Sequence, residues 1–127
     1  MRDQKSKDAP SYNNQKKTFI RPVAYFGKEV MLFVSPRWAR FFSRLKAGLW
    51  EPNTFHHLET FIDKDTVYVD IGGWIGATPY WAAQIAKKVI TVEPDPVCVQ
   101  ILQDLKDCNS GDVEILDAAL SGSETIQ

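Results

Sequence analysis

Between Val67 and Leu116 the sequence alternates short apolar runs with amphipathic segments, and nothing else in the 127-residue chain constrains the fold as strongly. Residues 67–71, 89–92 and 113–116 are β-branched runs bounded by polar residues or glycine, the pattern of strands. Helices are expected over residues 79–87, where Trp81 and Ile85 lie one turn apart, and from Pro96 onward. In the second, Asp95 caps the start and Val97, Ile101 and Leu105 line one face. Strand, helix, strand, helix, strand predicts an α/β fold with right-handed crossovers. The sheet is then parallel, with the order third, second, first, and residues 67–71 read as a buried-type strand.

The chemistry gathers where the three strands end. The run Val69-Asp70-Ile71-Gly72-Gly73-Trp74-Ile75-Gly76 carries a strand into a glycine loop and then a helix. Small residues let a ligand approach the backbone, and a helix start presents free amides. A tight turn with no ligand is the plain alternative. Glu93 ends the second strand roughly 20 residues after Asp70, the place where a carboxylate can accept both hydroxyls of a ribose. A surface acid before a turn is the alternative there. Asp117 and Ala118 end the third strand, beside the place for an adenine. A dinucleotide loop would read Gly-x-Gly-x-x-Gly. Here Gly72 and Gly76 are separated by Gly73, Trp74 and Ile75, and Asp70 precedes the loop. An acid at that place repels a pyrophosphate and tolerates an ammonium and a sulfonium, which favours S-adenosylmethionine over NAD.

These motifs resemble the FkbM family of class I S-adenosylmethionine-dependent methyltransferases. The resemblance runs from Trp50 to Gln127 through "WEPNTF", "VYVDIGGWIGATPYWAA", "VITVEPDP" and "ILDAALSGSETI". It implies a Rossmann-like sheet and O-methylation of a small molecule or glycan. By resemblance Asp70, Gly72 and Gly76 surround the methionine part of the cofactor, Glu93 holds the ribose, Asp117 with Ala118 flanks the adenine, and Gly73 and Pro94 are counted among the cofactor-binding residues. Glu51, in Trp50-Glu51-Pro52, is placed to reach the amino end of the cofactor, or serves as a helix-entry acid. Trp74 departs from the family's common Asn and would form a hydrophobic wall. No residue is identified as catalytic, and no metal site is expected.

Residues 1–17 are polar and are expected to form a disordered tail. Residues 18–49 form an N-terminal extension: a hairpin over 19–34 turning at Gly27 and Lys28, then a short helix capped by Ser35, with Pro36 in its first turn and Gly48 at its exit. Trp38, Phe41, Phe42 and Leu45 form its apolar side, and Arg37, Arg40, Arg44 and Lys46 a basic side that is solvated or meets a phosphate-bearing or acidic substrate. Thr54 is expected to open a helix through Phe61. Residues 50–127 make up the methyltransferase-like domain. It is expected to be incomplete at Gln127, after a new strand begins past Ser121.

The formal net charge is −1, which gives no general pull toward nucleic acid or an anionic membrane. The weakly charged stretch 67–86 contains Asp70, three glycines and Pro79, so a membrane span is rejected. With no apolar leader and no cysteine framework, the cytoplasm is the expected location. Cys98 and Cys108 are expected to pack in a helix and at its end, His56 and His57 to be solvated, and Trp38, Trp81, Phe41 and Phe42 to be core. The apolar edge of strand 67–71 is a self-association hazard. A nucleotide- or NAD-binding domain and an inactive fragment are the alternatives to an enzyme.

Overall fold

A computed structural model describes residues 18–122; the expected N-terminal tail and the strand beyond Ser121 lie outside the described residues. The chain is α/β. An antiparallel hairpin of β1 (Ile20–Tyr25) and β2 (Lys28–Phe33) is followed by a 3₁₀ turn (Pro36–Trp38), α1 (Ala39–Lys46) and α2 (Pro52–Phe61). Then β3 (Val67–Ile71), α3 (Ala77–Ala82), β4 (Lys88–Glu93), α4 (Pro96–Lys106) and β5 (Val113–Asp117) alternate. The last three strands form a parallel sheet in the order β3-β4-β5, which is the expected order.

Local chemistry explains most boundaries. Asp95 accepts from the Val97 and Cys98 amides and starts α4. Ser35 accepts from the Arg37 amide ahead of α1. At the other end of α1, Gly48 takes φ +72, the Gly48 amide bonds Leu45 O and the Leu49 amide bonds Arg44 O, a Schellman closure. Three expectations shift. The hairpin turns at Phe26 and Gly27, not Gly27 and Lys28, because Tyr25 pairs with Lys28. Both turn residues have positive φ, 45° and 78°, as a two-residue loop matched to the strand twist demands. Helix α2 opens at Pro52, not Thr54, since proline suits a first helical turn. Helix α3 starts at Ala77 and ends at Ala82, so Pro79 lies third in it, where its missing N–H costs no bond.

The core lies between the hairpin and the parallel sheet. Trp81, Tyr80, Phe55, Leu32, Leu45, Ile101 and Leu105 are fully buried there. Polar groups dock the hairpin onto the helices. Tyr25 Oη donates to Ala77 O at 2.7 Å, Trp81 Nε1 donates to Tyr25 O at 3.3 Å, and Asn109 bonds both the amide and the carbonyl of Met31. Phe26 stacks on Phe55 with centroids 4.4 Å apart.

Strand β3 is not a buried strand. Among the described residues it hydrogen-bonds to β4 alone, and Val67, Val69 and Ile71 are 52%, 52% and 61% exposed. An unbroken apolar run suggests cover on both faces. Among the described residues, α3 and α4 pack on one face, the hairpin packs on those helices, and no strand pairs with the outer edge of β3. Among the described residues no helix is long and apolar enough to cross a membrane.

Candidate functional site

Strand alternation sorts the side chains around the site. In the sheet register Asp70 pairs with Thr91, and Glu93 pairs with Asp117. Side chains two apart share a face. Tyr68 and Asp70 therefore stand on one face with Thr91 and Glu93, which is the face that α3 and α4 cover.

Asp70 is buried, 8% exposed, at the end of β3. Thr91 Oγ1 donates to its Oδ2 at 3.1 Å and Tyr68 Oη donates to its Oδ1 at 3.2 Å. Burial pushes the Asp70 carboxyl above its ordinary 3.8, the two hydroxyl donors pull it back, and the Glu93 charge adds to the rise. Burial, with the Asp70 charge behind it, likewise holds the Tyr68 hydroxyl well above its ordinary value, so Tyr68 stays a donor.

This pairing carries a pH prediction. A carboxyl whose folded value is raised stabilises the fold fully below its unfolded value, and that contribution is lost as pH rises through the folded value. Asp70→Asn removes the titration and keeps an oxygen for one hydroxyl. Relative to this variant, the parent should lose stability as the pH is raised from about 3 to about 7. Urea midpoints of both proteins across that range check it. A constant difference would mean that Asp70 titrates as an ordinary carboxyl.

Glu93, 7% exposed, turns both carboxylate oxygens onto the backbone. Oε1 accepts from the Trp74 amide at 2.9 Å and Oε2 accepts from the Asp95 amide at 3.1 Å. One side chain thus ties the glycine loop to the start of α4. In the loop, Gly72 has φ +80 and donates its amide to Val92 O. A Cβ on Gly73 would lie 2.0 Å from Thr91 Oγ1, so only glycine lets the loop cross Thr91. At Gly76 the core leaves no room for a side chain: its Cβ would meet Tyr80 at 2.8 Å and Leu105 at 3.3 Å.

A crevice of about 250 Å³ opens against this loop, lined by Trp50, Glu51, Thr54, Tyr68, Asp70, Ile71, Gly72, Gly73, Trp74, Ala77 and Thr78. It unites five of the expected site residues: Glu51, Asp70, Gly72, Gly73 and Trp74. Gly76 ends the loop and buried Glu93 ends β4, Pro94 is exposed between β4 and α4, Asp117 ends β5 and half-buried Ala118 follows it, and none of these lines the crevice. Glu51 and Trp74 are non-glycine residues in the left-handed region, at φ 44° and 49°. Such conformations persist only where surrounding contacts impose them, and they cluster at binding sites. Trp74 packs edge-on with Phe41, centroids 4.7 Å apart, and with Trp38 at 5.9 Å, while Phe41 also holds Trp50 at 4.9 Å. The N-terminal extension therefore packs against two residues of the crevice lining, Trp74 and Trp50.

Tyr68, Thr91 and Thr78 were not singled out in the sequence, and Thr54 only as a helix start. Tyr68 was accessible from strand alternation, since it lies two residues before Asp70; Thr91 needed the register. Cys98 is buried and its thiol is pushed up to about 11 by burial, then by Asp95 and Glu93, which suits packing. Cys108 is exposed, against expectation, because α4 ends at Lys106 and the thiol falls in the following turn. His56 and His57 are exposed on α2. Among the described residues, no three His, Cys, Asp or Glu side chains gather as metal ligands. No protein-family model matches the chain, and no curated protein matches it.

Proposed function

We propose that this chain binds S-adenosylmethionine in a Rossmann-like, class I methyltransferase fold of the kind its resemblance to the FkbM family implies. The observation that carries this reading is the crevice at the end of β3. Among the described residues its lining has two carboxylates, Glu51 and Asp70, and no Lys, Arg or His. A pyrophosphate would meet two carboxylates and no compensating cation among the described lining residues, while an ammonium or sulfonium would meet compensation. The parallel order β3-β4-β5, with Glu93 and Asp117 side by side at the strand ends, supports a nucleoside lying across the sheet edge.

Bound, the cofactor supplies an activated methyl group for direct displacement by an acceptor. The chain's part is to hold the sulfonium ligand in a fixed pose so that an acceptor hydroxyl meets it in line. We infer O-methylation of a small molecule or glycan from the resemblance alone, and assign no general base.

The test is isothermal calorimetry on the full chain with S-adenosylmethionine, S-adenosylhomocysteine and NAD. Binding of the first two with no heat from NAD is expected. Binding of NAD in preference, or of none of the three, would remove the reading, the first outcome in favour of a dinucleotide domain and the second in favour of an inactive module.

A further inference from the structure

We propose that Trp74 makes the crevice selective for the charge on the ligand's sulfur, so that the sulfonium cofactor binds more tightly than its neutral thioether product. This rests on the methyltransferase reading and adds to it a residue that sets specificity. Three aromatic residues, Trp50, Tyr68 and Trp74, line the same crevice as the carboxylates of Glu51 and Asp70, and among the described residues no cationic side chain lines it. Aromatic faces and carboxylates without a resident cation form a box for an organic cation, and indole is the most effective ring for the purpose.

The box is built before any ligand arrives. Phe41 lies between Trp74 and Trp50 at 4.7 and 4.9 Å, with interplanar angles of 72° and 88°. Trp38 holds Trp74 from another side at 5.9 Å. The Trp74 amide is tied to Glu93 Oε1, which fixes the backbone that carries the ring. An indole so held needs no ordering when the ligand enters, and a pre-organised contact keeps more of its interaction energy. The left-handed φ of Trp74 points the same way. A strand-to-helix loop has easier residues for that conformation, Asn among them; a tryptophan there is kept by what its ring does.

The experiment compares two ligands in one protein. S-adenosylmethionine and S-adenosylhomocysteine are titrated into the parent, Trp74→Leu and Trp74→Phe, with calorimetry as the readout and circular dichroism as the check on folding. Leucine keeps an apolar side chain without a quadrupole, and phenylalanine keeps a ring. The ratio of the two affinities cancels any general weakening from lost packing. The parent is expected to favour the sulfonium, Trp74→Leu to lose that preference by on the order of tenfold, and Trp74→Phe to keep most of it. A ratio unchanged in Trp74→Leu, or a parent that favours the thioether, overturns the assignment to Trp74 and leaves the methyltransferase reading standing. Should Trp74→Leu fail to fold, the parent's own ratio and that of Trp74→Phe still decide. Binding of neither ligand by the parent overturns both.

Discussion

Gly76→Val should cost the fold roughly 2–6 kcal/mol, from overpacking together with left-handed strain at a β-branched residue. Gly76 has φ +95, and its Cβ would sit 2.8 Å from Tyr80 Cδ2 and 3.3 Å from Leu105 Cδ1. Neither neighbour can move aside. Both are buried, and the Tyr80 hydroxyl donates to Leu102 O, which anchors the ring at its far end. Typical domains have only about 5–15 kcal/mol to lose, so much of the population would unfold. Gly72→Ala is the matched comparison. Its φ is also positive, but its Cβ meets nothing within 4 Å, so it carries left-handed strain of about 1–2 kcal/mol without overpacking. Urea denaturation of the three proteins, followed by circular dichroism, measures the difference. A Gly76→Val protein with the parent's midpoint would show that α3 and α4 part easily. Lost ligand binding in that variant, by contrast, reports on folding and not on the crevice.

The two glycines illustrate what the sequence carried and what it did not. Both stood in one loop motif, and the family resemblance assigned both to the ligand. In three dimensions Gly76 is the hinge on which α3 enters the core, while Gly72 faces open space. The distinction depends on Tyr80 and Leu105, and Leu105 comes from an element far along the chain. The parallel order β3-β4-β5 was readable because alternation and crossover handedness leave few other arrangements. The exposure of Val67, Val69 and Ile71 was not, because composition does not reveal how many faces of a sheet are covered. Trp74 was expected to form a hydrophobic wall in place of the motif's common Asn, but what holds it was not legible. Its partners Trp38 and Phe41 lie in the N-terminal extension, joined to the loop by packing that no local pattern encodes. The helix ends were misjudged for a related reason: α3 stops at Ala82 because the chain must return to β4, and the Lys87 amide already bonds Thr66 O beside the sheet.

Glu93→Ala should destabilise the protein by about 2–4 kcal/mol even with no ligand present, since it removes two charge-assisted hydrogen bonds at once. The sequence placed this carboxylate on a ribose. The structure instead shows both of its oxygens engaged with backbone amides, Trp74 at 2.9 Å and Asp95 at 3.1 Å. The two roles are compatible, because each carboxylate oxygen has a second lone pair. They are separable by experiment. Glu93→Gln keeps one acceptor for one amide and turns an NH₂ toward the other, so it should lose roughly half or more of what alanine loses. Unfolding free energies measured without ligand test the tie between loop and helix; equal values for parent and Glu93→Ala would show that the loop holds itself. S-adenosylhomocysteine is then titrated into the folded fraction of each variant. A further loss of about tenfold or more is expected if vicinal hydroxyls share the carboxylate. An affinity equal to the parent's would leave Glu93 as a brace that holds Trp74 and the start of α4 in place, with the nucleoside end of the ligand bound by other groups.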